Sequence, residues 1–336
     1  MALVAGAGSS ASFEADGGRT RPGLAEGDTV AVGWAERHKK KMCERYRSAT
    51  SEECRGVAAL IGSAVNRFGL RLDGASDLAR MIRDMEWLGS FNADPFAPGG
   101  AAERSQGAEK ERFMWAFLHL EQARRVAHAL TWAANIANSE SVVQWARKRI
   151  DRIATQDEKS QDYLFELEIA ARFARKGFTV ALEEPDIVVT LSTGTRFAFA
   201  CKRPRHAGRV GPMVREAADQ VLRSGLPGIA VIGVEALFHR SDDPTRKTVF
   251  YDAADPASAR AEGERFVTEA VDASRKDISR AFEKGLGGIL LCGIMTFTSR
   301  QPSAYAWEWI RRTVPNPSVA GAAEGLGAID ALLFES

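Results

Sequence analysis

The sequence predicts an α/β domain over residues 156–336, a mixed sheet flanked by helices, preceded by an all-α domain over 29–155. Three observations predict it. From about residue 30 to 155, apolar residues recur three and four apart, the spacing of one helix face. Near residue 156 the pattern changes to short apolar runs separated by Pro, Gly and polar turns, the mark of strands. Two of those runs, GIAVIGVEAL at 228–237, apolar through Val234, and GGILLCGIMTF at 287–297, are strongly apolar, as in strands covered on both faces.

Residues 1–28 are rich in Gly, Ala and Ser with few large apolar side chains; such a segment cannot bury enough surface to offset its ordering entropy and is expected to be a disordered tail. Helical patterns follow in VGWAERHKKKMCERYR, ECRGVAALIGSAVNRFG and DLARMIRDMEWLG. After a Pro/Gly-rich break at 94–107, residues 109–138 read as a long helix and 139–154 as a shorter one. These amphipathic helices should pack on one another or across a homodimer interface.

In the second half, SQDYLFELEIAARFARK reads as a helix stopped at Gly177. FTVALEE, DIVVTL and RFAFACK read as three strands, with STGT as a turn between the last two. GPMVREAADQVLRSG is the next helix, followed by the strand GIAVIGVEAL, a polar loop at 239–248, a helical stretch to about Lys284, and two final strands. In the last of these, AYAWEWI alternates Tyr305, Trp307 and Trp309 on one face.

Composition restricts the functional classes. The 45 Lys+Arg and 44 Asp+Glu nearly cancel, so a nucleic-acid partner would be held by a local basic patch rather than a global field. Four scattered cysteines with no CxxC pair point away from a disulfide framework or structural zinc and toward a reducing cytoplasm. There is no secretory leader pattern and no apolar run of membrane-spanning length, so a cytoplasmic protein with no membrane partner is expected. HExxH, GxSxG and Walker motifs are missing. GLGG at 285–288 opens a strand and makes a poor phosphate loop, and His119 and His128 are too far apart on their helix to share a metal.

The chemistry-bearing residues cluster in the first part of the α/β domain. Glu166 has Tyr163, Ile169, Ala170 and Phe173 at helical spacing. A carboxylate on that face needs a cation, metal or donor, unless the helix rolls and brings it to solvent. Glu168 shares its face with Arg172 and Arg175 and reads as part of a solvated ion-pair face. In RFAFACK, Lys202 ends the face formed by Arg196, Ala198 and Ala200, leaving room beside it for a substrate or ion. Asp186 follows Pro185 at the opening of a strand, by itself an ordinary turn residue. Arg203, Arg205, His206 and Arg209, with Arg215 on the next helix, form a basic run suited to a phosphate backbone or simply to water.

The ordered set LFELEIAARFARKGFTV, EEPDIVV and FAFACKRPR resembles the PD-(D/E)XK (restriction-endonuclease-like) nuclease superfamily, over about residues 160–237. The resemblance implies a Mg²⁺-dependent nuclease (Mn²⁺ being the other candidate ion) that hydrolyses phosphodiester bonds, DNA before RNA. By position, Asp186 is the central metal ligand, Lys202 the motif lysine, Glu166 the helix acid and a second metal ligand, and Gln220 a residue near the scissile phosphate. Arg203, Arg205, Arg209 and Arg215 become contacts to nucleic acid. One departure stands out: the acid expected two residues before the lysine is Ala200. Either Glu166 replaces it, or the domain is an inactive relative that binds nucleic acid or serves as a scaffold.

Overall fold

The computed structural model describes residues 51–135, 158–238 and 251–334, apart from 70, 73, 75, 97, 98, 301 and 302. The expectations for the tail at 1–28, the helix at 32–47, the helix at 139–154 and the loop at 239–248 lie outside these residues.

Residues 51–135 are helical. Helices α1 (Ser51–Arg67), α2 (Asp77–Gly89), a single turn α3 (Ala101–Arg104) and α4 (Gly107–Asn135) surround one apolar core. Cys54, Ile61 and Val65 of α1 meet Leu78, Met81, Met85 and Leu88 of α2 and Phe113, Leu120 and Leu130 of α4. Ser76 caps α2 by accepting from the backbone N–H of Ala79, which satisfies a donor that the first turn leaves free. Leu60 of α1 is a large apolar side chain left 43% exposed.

Helix α5 (Glu158–Arg175) belongs to two cores at once. Leu164 and Leu167 complete the helical core, while Phe165, Ile169, Ala170 and Phe173 pack on the sheet. The helix ends at Gly177, whose φ of 88° only glycine adopts without strain. There the N–H of Phe178 closes back on the carbonyl of Phe173.

The sheet has seven strands. β1 (Thr179–Ala181), β2 (Ile187–Thr190) and β3 (Arg196–Lys202) form an antiparallel meander. Helix α6 (Val210–Ser224) then crosses over to β4 (Gly228–Gly233), parallel to β3. A short helix α7 (Glu235–Phe238) follows β4, and β5 (Tyr251–Ala253), α8 (Pro256–Ala273) and α9 (Arg275–Glu283) lead to β6 (Gly288–Arg300). β6 pairs in parallel with β4 through Ile289–Cys292 and with β5 through Phe297–Ser299, while β7 (Ser303–Pro315) runs antiparallel along its other edge. Helix α10 (Ala322–Phe334) closes the fold.

Strand alternation sorts side chains to the two faces. Ala198, Ala200, Ala230 and Ile232 meet α6, α8 and α9 through Val214, Ala217, Val267 and Ile278. Phe197, Phe199, Cys201 and Val231 meet α5 and α10 through Phe173, Leu326 and Ile329. The result is a mixed sheet between two helical layers. β5 and α10 are elements that the sequence reading did not resolve. β5 is three residues long, too short for a period-2 pattern, and α10 is apolar on most sides.

The expectation for Glu168 is corrected. It is 4% exposed, because α4 packs over that face of α5 and converts a solvated position into an interior one.

Candidate active site

The register of the β2–β3 hairpin places the central pair. Ile187 lies opposite Phe199, so Asp186, just before β2, falls opposite Ala200. Cross-strand partners share a face, which puts Asp186 on the side where Lys202 ends β3. The Asp186 carboxylate accepts a hydrogen bond from the Cys201 backbone N–H at 2.7 Å and lies 3.5 Å from Nζ of Lys202. Both side chains are largely enclosed, 14% and 12% exposed. Burial pushes the Asp186 carboxyl up to about 6, although Lys202 and the Cys201 N–H both pull it down. Desolvation therefore outweighs the local partners.

A second carboxylate reaches the lysine from α6. Glu216 of α6 brings Oε1 to 3.8 Å from Lys202 Nζ and is itself 58% exposed. Glu216 is not among the site residues expected from the sequence, which include Gln220, one turn further along α6. The available clue was that spacing: residues four apart share a helix face, so a helix that aims Gln220 at the site aims Glu216 there too. Arg223, the next residue on that face, pairs with Glu184 at 3.7 Å, just before Asp186. Gln220 is thus flanked on both sides by residues that reach the Asp186–Lys202 region, and its Oε1 is buried with no hydrogen-bond partner among the described residues.

Glu166 is half-buried on α5. Burial raises the Cys201 thiol well above its usual range, with the charges of Asp186 and Glu166 adding to that effect, so Glu166 lies within electrostatic reach of the end of β3. Ala200 is fully buried against α6 and the neighbouring strands. The place of the missing acid is filled by packing.

The basic residues divide. Arg203 turns inward and is 8% exposed, with Glu235 at 3.3 Å and Asp162 at 3.9 Å. Burial lowers its pKa, and it does not offer its guanidinium to the surface. Arg205 is partly exposed and lies 3.5 Å from Asp162; Arg215 keeps 42% exposure and lies 3.3 Å from Asp277; Arg209 is exposed. The expected contiguous basic run is therefore interrupted at its first arginine, because Arg203 follows Cys201 on the side of β3 that α5 covers.

Among the described residues no three His, Cys, Asp or Glu side chains form a metal-holding cluster. Lys202 has the Asp186 and Glu216 carboxylates within 4 Å, and one turn along from Glu216 on α6 the Gln220 amide oxygen is buried without a partner among the described residues. That chemistry fits Mg²⁺ or Mn²⁺, which take hard oxygen ligands, and Mg²⁺ commonly uses only one or two carboxylates beside waters and substrate phosphate. Among the described residues no helix is long and apolar enough to cross a membrane. Compared with known protein families, with characterised proteins and with solved structures, the chain matches none.

Proposed function

We propose that the protein is a metal-dependent nuclease of the PD-(D/E)XK type, acting on DNA before RNA, with its centre at Asp186 and Lys202. The observation that carries this reading is the pairing of a buried carboxylate and an ammonium, 3.5 Å apart, at one end of a mixed sheet. A second acid, Glu216, lies 3.8 Å from the same ammonium.

In this reading Asp186 and one glutamate, Glu216 of α6 or Glu166 of α5, would hold a divalent cation, with waters and the substrate phosphate completing its shell. When bound, Mg²⁺ would withdraw charge from the phosphoryl oxygens and acidify a bound water. The chain's own residues do the rest. Lys202 places a fixed positive charge where the attacked phosphate gains negative charge, in a setting largely shielded from water, where such a charge acts strongly. The Cys201 N–H fixes the rotamer of Asp186 and keeps one oxygen directed at Lys202. Gln220 offers an amide to the substrate phosphate. Arg205, Arg209 and Arg215 line the approach for the backbone, their affinity falling with salt. Self-association through the helical half is a separate proposal, addressed by light scattering.

The test is incubation of the full chain with double-stranded DNA, single-stranded DNA and RNA, with Mg²⁺, Mn²⁺ or a chelator. Cation-dependent cleavage, lost in Asp186→Asn and Lys202→Met, is expected. Absence of both cleavage and cation binding by calorimetry overturns the reading. Retained DNA binding would then favour an inactive nuclease-fold module, the reading that buried Ala200 supports.

A further inference from the structure

A chain of buried charges runs from the helical half to the strand that carries Lys202. Arg125 of α4 lies between two acids of the other half. Its Nε and Nη2 reach Oε2 of Glu168 at 2.7 and 2.6 Å, and its Nη1 reaches Oε1 of Glu235 at 2.7 Å. Glu168 is also held by Arg172 at 2.9 Å. Burial works to raise the Glu168 carboxyl, but the two arginines outweigh it and hold the group below its usual range. Glu235 uses its second oxygen, Oε2, for Arg203 at 3.3 Å. The carboxylate of Glu235 is thus a bridge, with one oxygen for an arginine of the helical half and one for the arginine next to Lys202.

The sheet is shaped to admit this bridge. A Cβ on Gly233, the last residue of β4, would come 2.8 Å from Cγ of Arg203, and one on Gly293 of β6 would come 2.8 Å from the backbone nitrogen of Glu235. Both lie closer than real Cβ contacts allow. Two small residues on neighbouring strands therefore leave the slot in which Arg203 and Glu235 meet. Inside it, Nε and Nη1 of Arg203 are buried without a hydrogen-bond partner among the described residues, so the guanidinium depends on Glu235, with Asp162 at 3.9 Å as its more distant support.

We propose that Arg125 is a positioning residue: through Glu235 it holds Arg203, and with it the end of β3 that presents Lys202 to Asp186. The helical half is then a structural part of the site and not a separable targeting module. The inference rests on the proposed site at Asp186 and Lys202. Loss of the Arg125 guanidinium removes the ion pair on Oε1 of Glu235 and leaves it the longer contact from the Ile294 backbone N–H at 3.4 Å, which loosens that carboxylate and its hold on Arg203. Arg203 lies one residue past Lys202 and two past Cys201, whose N–H holds Asp186. A shift of about 1 Å at a reacting group is enough to lower turnover by roughly a hundredfold.

The experiment uses the full chain labelled with ¹⁵N-cysteine. The sequence has 4 cysteines, so the spectrum is sparse, and Cys201→Ala assigns the amide that donates to Asp186. In Arg125→Met the Cys201 cross-peak should move while that of Cys54, which sits in the helical core, stays in place. Turnover of DNA should fall about ten- to a hundredfold with KM altered less than about threefold. Arg125→Lys, which keeps the charge, should restore part of both. If Arg125→Met does not fold, Glu235→Gln is read instead, since it leaves the Arg125–Glu168 pair in place. A folded variant with the Cys201 cross-peak and turnover unchanged overturns the proposal. If the wild type cuts no nucleic acid, the nuclease reading fails separately, and the Cys201 cross-peak still decides whether Arg125 positions β3.

Discussion

Glu216 approaches Lys202 to 3.8 Å from α6, a helix the chain forms only after leaving the strand that carries the lysine. With Asp186 at 3.5 Å, the ammonium has two carboxylates within 4 Å. An ion pair as exposed as Glu216 contributes little to stability, typically under about 1 kcal/mol, so its carboxylate is free to serve a ligand. Glu216→Gln should weaken Mn²⁺ binding by about tenfold or more, since affinity follows the number of charged ligands, with an unchanged melting temperature. Calorimetry on this variant and on Glu166→Gln shows which glutamate replaces the acid absent at Ala200; unaltered Mn²⁺ affinity in Glu216→Gln would assign that role to Glu166.

Lys202→Met should reduce phosphodiester cleavage by roughly a hundred- to a thousandfold, the usual effect of losing one transition-state stabiliser. The variant should still fold. Asp186, left without its cation, escapes an unpaired buried charge by taking up a proton, which keeps the cost within roughly 1–2 kcal/mol. Single-turnover rates and a urea melt measure the two effects, and equal losses of rate and stability would make Lys202 merely structural.

The raised carboxyl of Asp186 has a pH signature. Its folded value is about 6 against an ordinary 3.8, so the folded protein binds this proton more tightly than the unfolded chain. The stability it contributes is present below the unfolded value and is lost as pH rises through the folded one. Asp186→Asn removes that titration. Wild-type stability relative to the variant should fall with rising pH across this interval, by on the order of 1.4 kcal/mol per unit. Urea melts at stepped pH provide the measurement, and parallel curves would contradict it.

Glu168→Ala leaves Arg125 and Arg172 facing each other in the interior. Removing one partner of a buried ion pair typically costs about 3–5 kcal/mol, and a loss of that size is expected in denaturant midpoint. Glu166→Gln, two residues away and half-buried, should cost under about 1 kcal/mol. Similar losses in the two variants would argue against the burial difference between these neighbours.

Ala200→Glu tests whether the missing acid can be put back. Ala200 is 0% exposed and packs in the core beneath α6, so a longer side chain overfills the site at a cost of roughly 1–3 kcal/mol. Its charge would also stand beside Asp186. The variant should be less stable and no more active than the wild type, as melting and cleavage assays would show; a gain in activity would mean that the site has room for the acid.

Much of this arrangement is legible in the chain. The alternation of RFAFACK places Lys202 on the alanine face, the Pro185–Asp186 step marks where the neighbouring strand opens, and helical spacing recovers α1, α2 and α4. These are local properties, set by a period of 2.0 or 3.6 residues. What local periodicity cannot contain is the partner of each face. Glu168 and Arg203 both read as surface charges, yet α4 covers the first and a slot beside Gly233 encloses the second. Glu216 looked unremarkable because its proximity to Lys202 depends on where α6 lies across β3. Whether a charge meets water, an acid or a phosphate is decided by which elements pack over it, and only the tertiary structure supplies that.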